Sequence, residues 1–329
     1  MNLKYSVLFL LYISSFSGIS GQTGEPFKPH GKPVFLTFEN FHYSFNREGN
    51  NPAFEITRLY LGYEYFFSKN LSARANLDIA DPGVGGLQMT AYVKNAFLQY
   101  KKGNLAGRMG MISTDAYNLI EKQWGYRYIF KTLQDEYGFN SSADLGAAIE
   151  YTPAKFLSFD ASVLNGEGYK RIQSDSVFKY TAGVTFRPVE GLIFRVYSDF
   201  MKKEHLQNTI SFFAGYTLEN FRLGLEYSFQ KNNKMIKNHD FSGVSAFVSL
   251  KLSEKFSALA RYDHLWSSTL VNNVDPWNYN SDGQLLIAGF EYSPVAGVRI
   301  APVYMGWLPA NNSKSYTSIA GLQLELRLK

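Results

Sequence analysis

The sequence predicts an all-β protein: a transmembrane antiparallel β-barrel of about 16 strands in an up-and-down meander. Three observations predict it. Apolar and polar residues alternate with period two along run after run, each bounded by turn residues. The links between runs alternate between tight turns and longer loops. The runs, at about ten to thirteen residues, approach the ~9–11 that a tilted strand needs to cross a bilayer, where strands of soluble sandwiches are commonly ~5–6.

The clearest unit is Phe54 to Ile79, FEITRLYLGYEYFFSKNLSARANLDI. Leu59, Leu61, Tyr63, Tyr65 and Phe67 share one face of its first strand, and Arg58, Tyr60, Gly62 and Glu64 the other. After the turn Ser68-Lys69-Asn70, Leu71, Ala73, Ala75, Leu77 and Ile79 oppose Ser72, Arg74, Asn76 and Asp78. Repeating this reading gives runs at 34–46, 54–67, 71–81, 89–101, 105–114, 143–152, 156–165, 178–187, 191–200, 208–218, 221–231, 241–252, 256–266, 284–293, 297–307 and 316–328. Faces in 34–46 and 89–101 cannot be assigned by alternation. The links 47–53, 82–88, 115–142, 166–177, 201–207, 232–240, 267–283 and 308–315 are the longer set and all fall at one end. An even strand count then brings both termini to the short-turn end, as in bacterial outer-membrane barrels.

A barrel this wide cannot fill its interior with side chains, so the polar face belongs inside and the apolar face outside. Tyr63, Tyr65, Phe67, Tyr151, Phe186, Phe221 and Tyr292 lie beside tight turns, where an interfacial aromatic girdle is expected.

Residues 1–21 read as a signal peptide: Lys4 supplies the charge, Tyr5 to Ile13 the apolar stretch and Ser14 to Gly21 a small, polar cleavage region. Residues 22–33 form a Pro/Gly-rich periplasmic leader, and 34–329 the barrel. Loss of the signal removes one of the 33 basic residues and none of the 28 acidic ones, leaving a formal charge of +4. That charge, without a basic run, gives no sign of nucleic acid as a partner. With no cysteine, the fold must close by hydrogen bonding and packing. The expected partners are outer-membrane lipid and small hydrophilic solutes or ions, in the cell outer membrane of a Gram-negative organism.

Chemistry-bearing motifs are sparse. The histidines, His30, His42, His205, His239 and His264, fall in no H-E-x-x-H, and neither G-x-S-x-G nor a P-loop occurs. No enzyme activity, cofactor or metal is therefore expected. Asn273, Asp275, Asn278, Asn280 and Asp282 supply Ca²⁺-type oxygens without EF-hand spacing.

The informative charges are on the wall and in one loop. Arg58, Arg74, Arg108, Arg187, Arg195, Arg222, Arg299 and Arg327 fall on inward positions, with acids further along the same faces: Arg74 with Asp78, Arg195 with Asp199, Arg222 with Glu226, and Arg261 with Asp263. These read as a basic belt below an acidic one, whose field would bias ion passage, or as wall ion pairs that solvate the lumen. The 28-residue loop 115–142 is too apolar for a disordered link, with Trp124, Tyr126, Tyr128, Phe130 and Leu133. Folded inward, it would narrow the pore and bring Lys122, Arg127, Lys131, Asp135 and Glu136 to a constriction. As an external lid it would not.

The hairpin FEITRLYLGYEYFFSKNLSARANLD, with GRMGMIST (107–114), WGYRYIFKTLQDEYGFNSSADLGAAIEY (124–151) and SVLNGEGYKR (162–171), resembles the phosphate-selective porin O/P-like outer-membrane porins. The resemblance spans most of 34–329. It implies passive diffusion through a water-filled barrel, an inward loop and a homotrimer. The chain departs from such barrels in ending Leu328-Lys329 rather than in an aromatic residue. Two other classes of function fit the same pattern: a plugged structural or adhesive barrel, and a substrate-specific channel for a sugar or other nutrient, for which Trp124, Trp266, Trp277 and Trp307 lie near loops.

Overall fold

The computed structural model describes residues 26–46, 49–81 and 89–328. The signal peptide, the first residues of the leader, the whole link 82–88, residues 47–48 and the terminal Lys329 lie outside the described residues. The strands are β1 (His30–Asn46), β2 (Gly49–Phe66), β3 (Leu71–Ala80), β4 (Thr90–Lys102), β5 (Leu105–Ser113), β6 (Ala143–Ala154), β7 (Leu157–Leu164) and β8 (Lys179–Phe186). They continue as β9 (Leu192–Lys202), β10 (Leu206–Thr217), β11 (Phe221–Lys231), β12 (Phe241–Lys251), β13 (Phe256–Ser267), β14 (Gly283–Tyr292), β15 (Val298–Pro309) and β16 (Thr317–Arg327). Each pairs antiparallel with its sequence neighbours, and β1 pairs with β16 from Leu36↔Arg327 to Phe45↔Ser318, closing a 16-stranded barrel. No helix among the described residues is long and apolar enough to cross a membrane.

Most strand limits fall within two residues of the sequence reading. β1 and β2 differ more. β1 begins at His30 rather than Val34, taking in part of the Pro/Gly-rich leader, because Gly31 and Pro33 pair with Tyr65 and Tyr63 of β2. At the other end the two strands stay paired to Asn46↔Gly49, so most of the expected link 47–53 is strand. The link 201–207 also shrinks, to three residues, since Lys202 pairs with Leu206. Polar residues mark both places as turns, but backbone pairing continues through them. The alternation of long and short links is therefore less strict than the sequence suggests.

The exterior is apolar. Leu61, Leu98, Met109, Ile149, Val184, Phe194, Leu225, Leu286 and Leu322 are exposed on it, and Tyr63, Phe67, Tyr151, Phe186 and Tyr292 are exposed near the short-turn end. Polar side chains point inward, among them Asp78, Arg195, Glu226, Arg261 and Glu325. One sector breaks the pattern. Leu36, Phe38, Ile193, Tyr197, Phe213, Phe247, Leu285, Ile287 and Val303 are apolar yet lie inside, packed with residues of the loop between β5 and β6. These inner apolar residues are why alternation alone left the face of 34–46 open.

The exterior's chemistry makes a direct prediction. Leu225 stands near the middle of β11 and is 55% exposed. Leu225→Arg is expected to cost about 2–4 kcal/mol in denaturant unfolding from lipid bilayers, the magnitude for a cation on a lipid-facing strand. No loss of stability would mean that this face does not meet lipid.

Candidate functional site

The candidate site is the barrel lumen, and the loop between β5 and β6 shapes it. The loop contains two short helices, α1 (Asn118–Trp124) and α2 (Leu133–Glu136). Its apolar residues have no counterpart outside the barrel and bury inside. Trp124 is fully buried, 5.3 Å from Phe247, and Phe139 stacks on Phe241 at 4.1 Å. Burial of backbone carbonyls away from water requires donors. Inward arginines of the wall provide them. Arg195 donates to the Asp115 carbonyl (2.7 Å), Arg222 to that of Gln123 (3.1 Å), Arg299 to that of Gly125 (2.9 Å) and Arg261 to that of Lys131 (2.6 Å). Side chains of the loop reach back. The Tyr128 hydroxyl donates to Glu291 (2.7 Å), and the Gln134 amide donates to Ser211 and Glu226 (both 3.0 Å).

Three of the four anchoring arginines are themselves paired with a carboxylate, and Arg222, among the described residues, meets only the Gln123 and Trp124 carbonyls (3.1 and 3.4 Å). Arg261 makes a two-point pair with Asp263 (2.8 and 2.6 Å), and Arg299 meets Glu291 at 2.5 Å while lying over the rings of Tyr126 and Tyr128. Arg195 pairs with Asp160 on β7 (2.6 Å), not with Asp199 four residues along its own strand. It reaches Asp160 over Gly183, where a Cβ would sit 2.5 Å from both the guanidinium and the carboxylate. Asp78 likewise pairs with Arg58 across strands (3.0 Å) rather than with Arg74. Charges are thus interleaved around the wall and through the loop, instead of forming a basic belt below an acidic one.

Three cavities lie around the loop. The first, of about 550 Å³ and bordered by residues of the long loops, meets Arg58, Arg127, Lys131, Lys170, Arg171, Lys179 and Lys234 against Asp135, Glu167 and Asp175. The second, of about 540 Å³ beside the β14–β15 turn, meets Lys122, Arg127, Arg299 and Arg327 against Glu121 and Glu325. The third, about 180 Å³, lies between loop and β1–β5 and adds Arg74 and Lys94. Arg127 borders all three. It pairs with Glu121 and Asp135, each at 3.2 Å. Burial opposes its charge, but Tyr60, Asp135 and Glu121 outweigh burial and raise its pKa above the ordinary guanidinium value. Across the three cavities, twelve basic side chains face five acidic ones.

Of the residues expected at a constriction, Arg58, Arg74, Lys122, Arg127, Lys131, Asp135 and Arg299 border these cavities. Glu136 pairs with Lys131 (3.1 Å) and borders a separate, more apolar recess with Tyr137 and Trp307. Arg108, Arg195, Arg222, Glu226 and Arg261 border none of the three. Arg108 holds Asp115 at 2.7 Å, Glu226 is buried against Gln134, and the other three anchor the loop. Residues without a signal in the sequence also line the lumen. Tyr169 and Lys170 come from the link after β7, the Tyr169 hydroxyl donating to Asp78 (2.5 Å). Lys94 comes from β4, whose faces alternation did not assign. The Asx-rich loop does not assemble a cation cage: Asp282 accepts from Ser267 and Asn278, and no group of three or more His, Cys, Asp or Glu is placed to hold a metal among the described residues.

No family model matches the sequence, and no curated protein matches it. Solved structures do. OmpF of Salmonella typhi, in complex with daunomycin, superposes with a TM-score of 0.70 at 12% identity, over 90% of this chain and 97% of that one. OprB of Pseudomonas putida gives 0.70 at 8%, over 91% and 94%. The anion-selective porin of Comamonas acidovorans gives 0.65 at 9%, over 92% and 100%. The fold is that of an outer-membrane porin barrel. At these identities the likeness is one of fold, and the narrower phosphate-selective family is not confirmed.

One backbone position tests the anchoring. Gly125 ends α1 in the left-handed region, with φ 73°, and its N–H donates to the Glu121 carbonyl (2.8 Å). A Cβ there would run into the Arg222 guanidinium. Gly125→Ala is expected to cost about 1–2 kcal/mol from the backbone alone and to speed tryptic cleavage after Lys122 and Arg127. Unchanged stability and cleavage would show that the α1 end does not rest on Arg222.

Proposed function

We propose that the chain is an outer-membrane porin that lets small hydrophilic solutes and ions diffuse passively, with a preference for anions and no reaction step. The observation that carries this reading is the excess of basic over acidic side chains along the three cavities that meet at Arg127. A narrow, low-dielectric passage focuses the field of its lining charges, so an excess of one sign raises the local concentration of the opposite ion. A lining of Lys and Arg is what an anion-preferring pore uses. Several of these cations carry no carboxylate partner at ion-pair distance among the described residues, including Arg74, Lys94, Lys170 and Lys179. The name of the Comamonas neighbour, an anion-selective porin, agrees with the reading.

The apolar exterior and the closed sheet support an outer-membrane location, because a closed barrel leaves no backbone edge unpaired in lipid. The inward loop supports selection by width, since it packs against the inner faces of β9–β15 and β1 and leaves three separate cavities around it. Phosphate as the solute and the homotrimer are implied by the sequence resemblance alone, and signal cleavage by the pattern of residues 1–21.

The test is single-channel current in a planar bilayer under a salt gradient. Stable steps and a reversal potential of anion sign are expected. Lys170 and Arg171 are exposed at the first cavity, so charge reversal there should not disturb packing. Lys170→Glu with Arg171→Glu is expected to move the reversal potential toward cation preference. Silence from a correctly folded barrel would overturn the channel reading and favour a plugged structural barrel. A cation-signed potential in the unmodified protein would overturn the anion preference.

A further inference from the structure

The smallest of the three cavities has two chemically opposite walls. On one side stand Arg74 and Lys94. Among the described residues the Arg74 guanidinium donates only to Asn76 (3.1 Å), and Glu64, opposite it on β2, is engaged by Lys32 (3.3 Å). The Lys94 ammonium meets the Ser142 hydroxyl and lies over the rings of Tyr169 (4.6 Å) and Tyr60 (5.8 Å), with no carboxylate at ion-pair distance among the described residues. On the other side stand Val34, Leu36 and Phe38 of β1. Tyr117, 1% exposed, also borders the cavity.

We propose that this cavity is a binding site for small organic monocarboxylates, with the carboxylate between Arg74 and Lys94 and the hydrocarbon against Leu36 and Phe38. The inference rests on the anion-preferring reading of the pore and names the class of anion. Arg127, Arg327, Asn76, Asn95 and Asn118 also border the cavity, but Val34, Leu36 and Phe38 offer no donor. Oxygens of an inorganic oxyanion turned toward that apolar stretch would lose their hydration unreplaced, a loss that a hydrocarbon tail avoids. The tail instead gains from burial. The volume, about 180 Å³, is on the order of six water volumes, which suits a short-chain acid. Position adds to the case. Arg127 and Ser142 join this cavity to the one bordered by the long loops, and Arg127, Glu121 and Arg327 join it to the one beside the β14–β15 turn. A ligand held here would occupy the passage and reduce chloride current while it stayed.

The experiment is block of chloride current across a bilayer by formate, propionate, butyrate and inorganic phosphate, each titrated separately. Apparent affinity should rise from formate to butyrate by about fourfold for each methylene buried, the gain set by its transfer from water, and phosphate should block less well than butyrate. Lys94→Gln should weaken butyrate block by at least tenfold, on the order of one lost charge-assisted hydrogen bond. Lys94→Arg should retain it. Leu36→Ser should flatten the chain-length series. Ohmic steps from each variant would confirm that the barrel has folded. Equal block by all four anions, or butyrate block unaffected by Lys94→Gln, would overturn the proposal. Those results with an anion-signed reversal potential would leave the anion-preferring porin reading standing, whereas a cation-signed potential would remove the anion preference on which this proposal rests.

Discussion

The structure depends on one exchange. A long loop brings aromatic side chains and unpaired backbone carbonyls into the barrel, and inward arginines of the wall meet those carbonyls. Without the arginines, the half-buried carbonyls of Asp115, Gln123, Gly125 and Lys131 would lose these donors where water is already partly excluded. Without the loop, Arg261 and Arg195 would lose one of the acceptors that make their burial tolerable. Buried guanidinium groups persist only when charge and hydrogen bonds are both satisfied. The loop supplies the second half of that requirement, and Asp263 and Asp160 the first.

This exchange divides the lumen. The loop packs on the apolar inner faces of β9 to β15 and on Leu36 and Phe38 of β1, and leaves polar residues toward β3 to β5. Arginines on the packed side serve as anchors. Among the described residues Arg74, Lys94 and Lys170, on the open side, have no carboxylate at ion-pair distance, and on the anion-preferring reading proposed above they would set the sign of the field that a passing ion meets. On that reading, anchoring and selectivity fall to basic side chains in different sectors of one barrel.

Much of the fold was legible in the sequence. Period two in strands such as Phe221–Lys231 marks both the strand and its faces, because a membrane barrel with a wet lumen needs apolar residues outside and polar ones inside. The signal weakens where the lumen is not wet. Leu36 and Phe38 are inward and apolar because they face the loop, a contact between distant segments that no local pattern records. The same reason separates Arg222 from Arg74. Both occupy inward strand positions, yet one is consumed by the Gln123 carbonyl and the other borders open space. The apolar residues of 115–142 pointed to a buried segment, but not to the wall that receives it. Lys94 and Tyr169 had no signal of their own, since their place depends on two loops meeting across the lumen.

The most direct measurement is of loop position. A Cβ added at Gly243 on β12 would lie 3.4 Å from the Leu133 Cγ, close to where a cysteine sulfur at 133 would sit. The chain has no native cysteine to interfere. Leu133→Cys with Gly243→Cys, folded in lipid and then oxidised, should form a disulfide almost quantitatively and keep its conductance steps. Free thiols in a correctly folded barrel would place the loop away from β12 and contradict the inward, arginine-anchored arrangement.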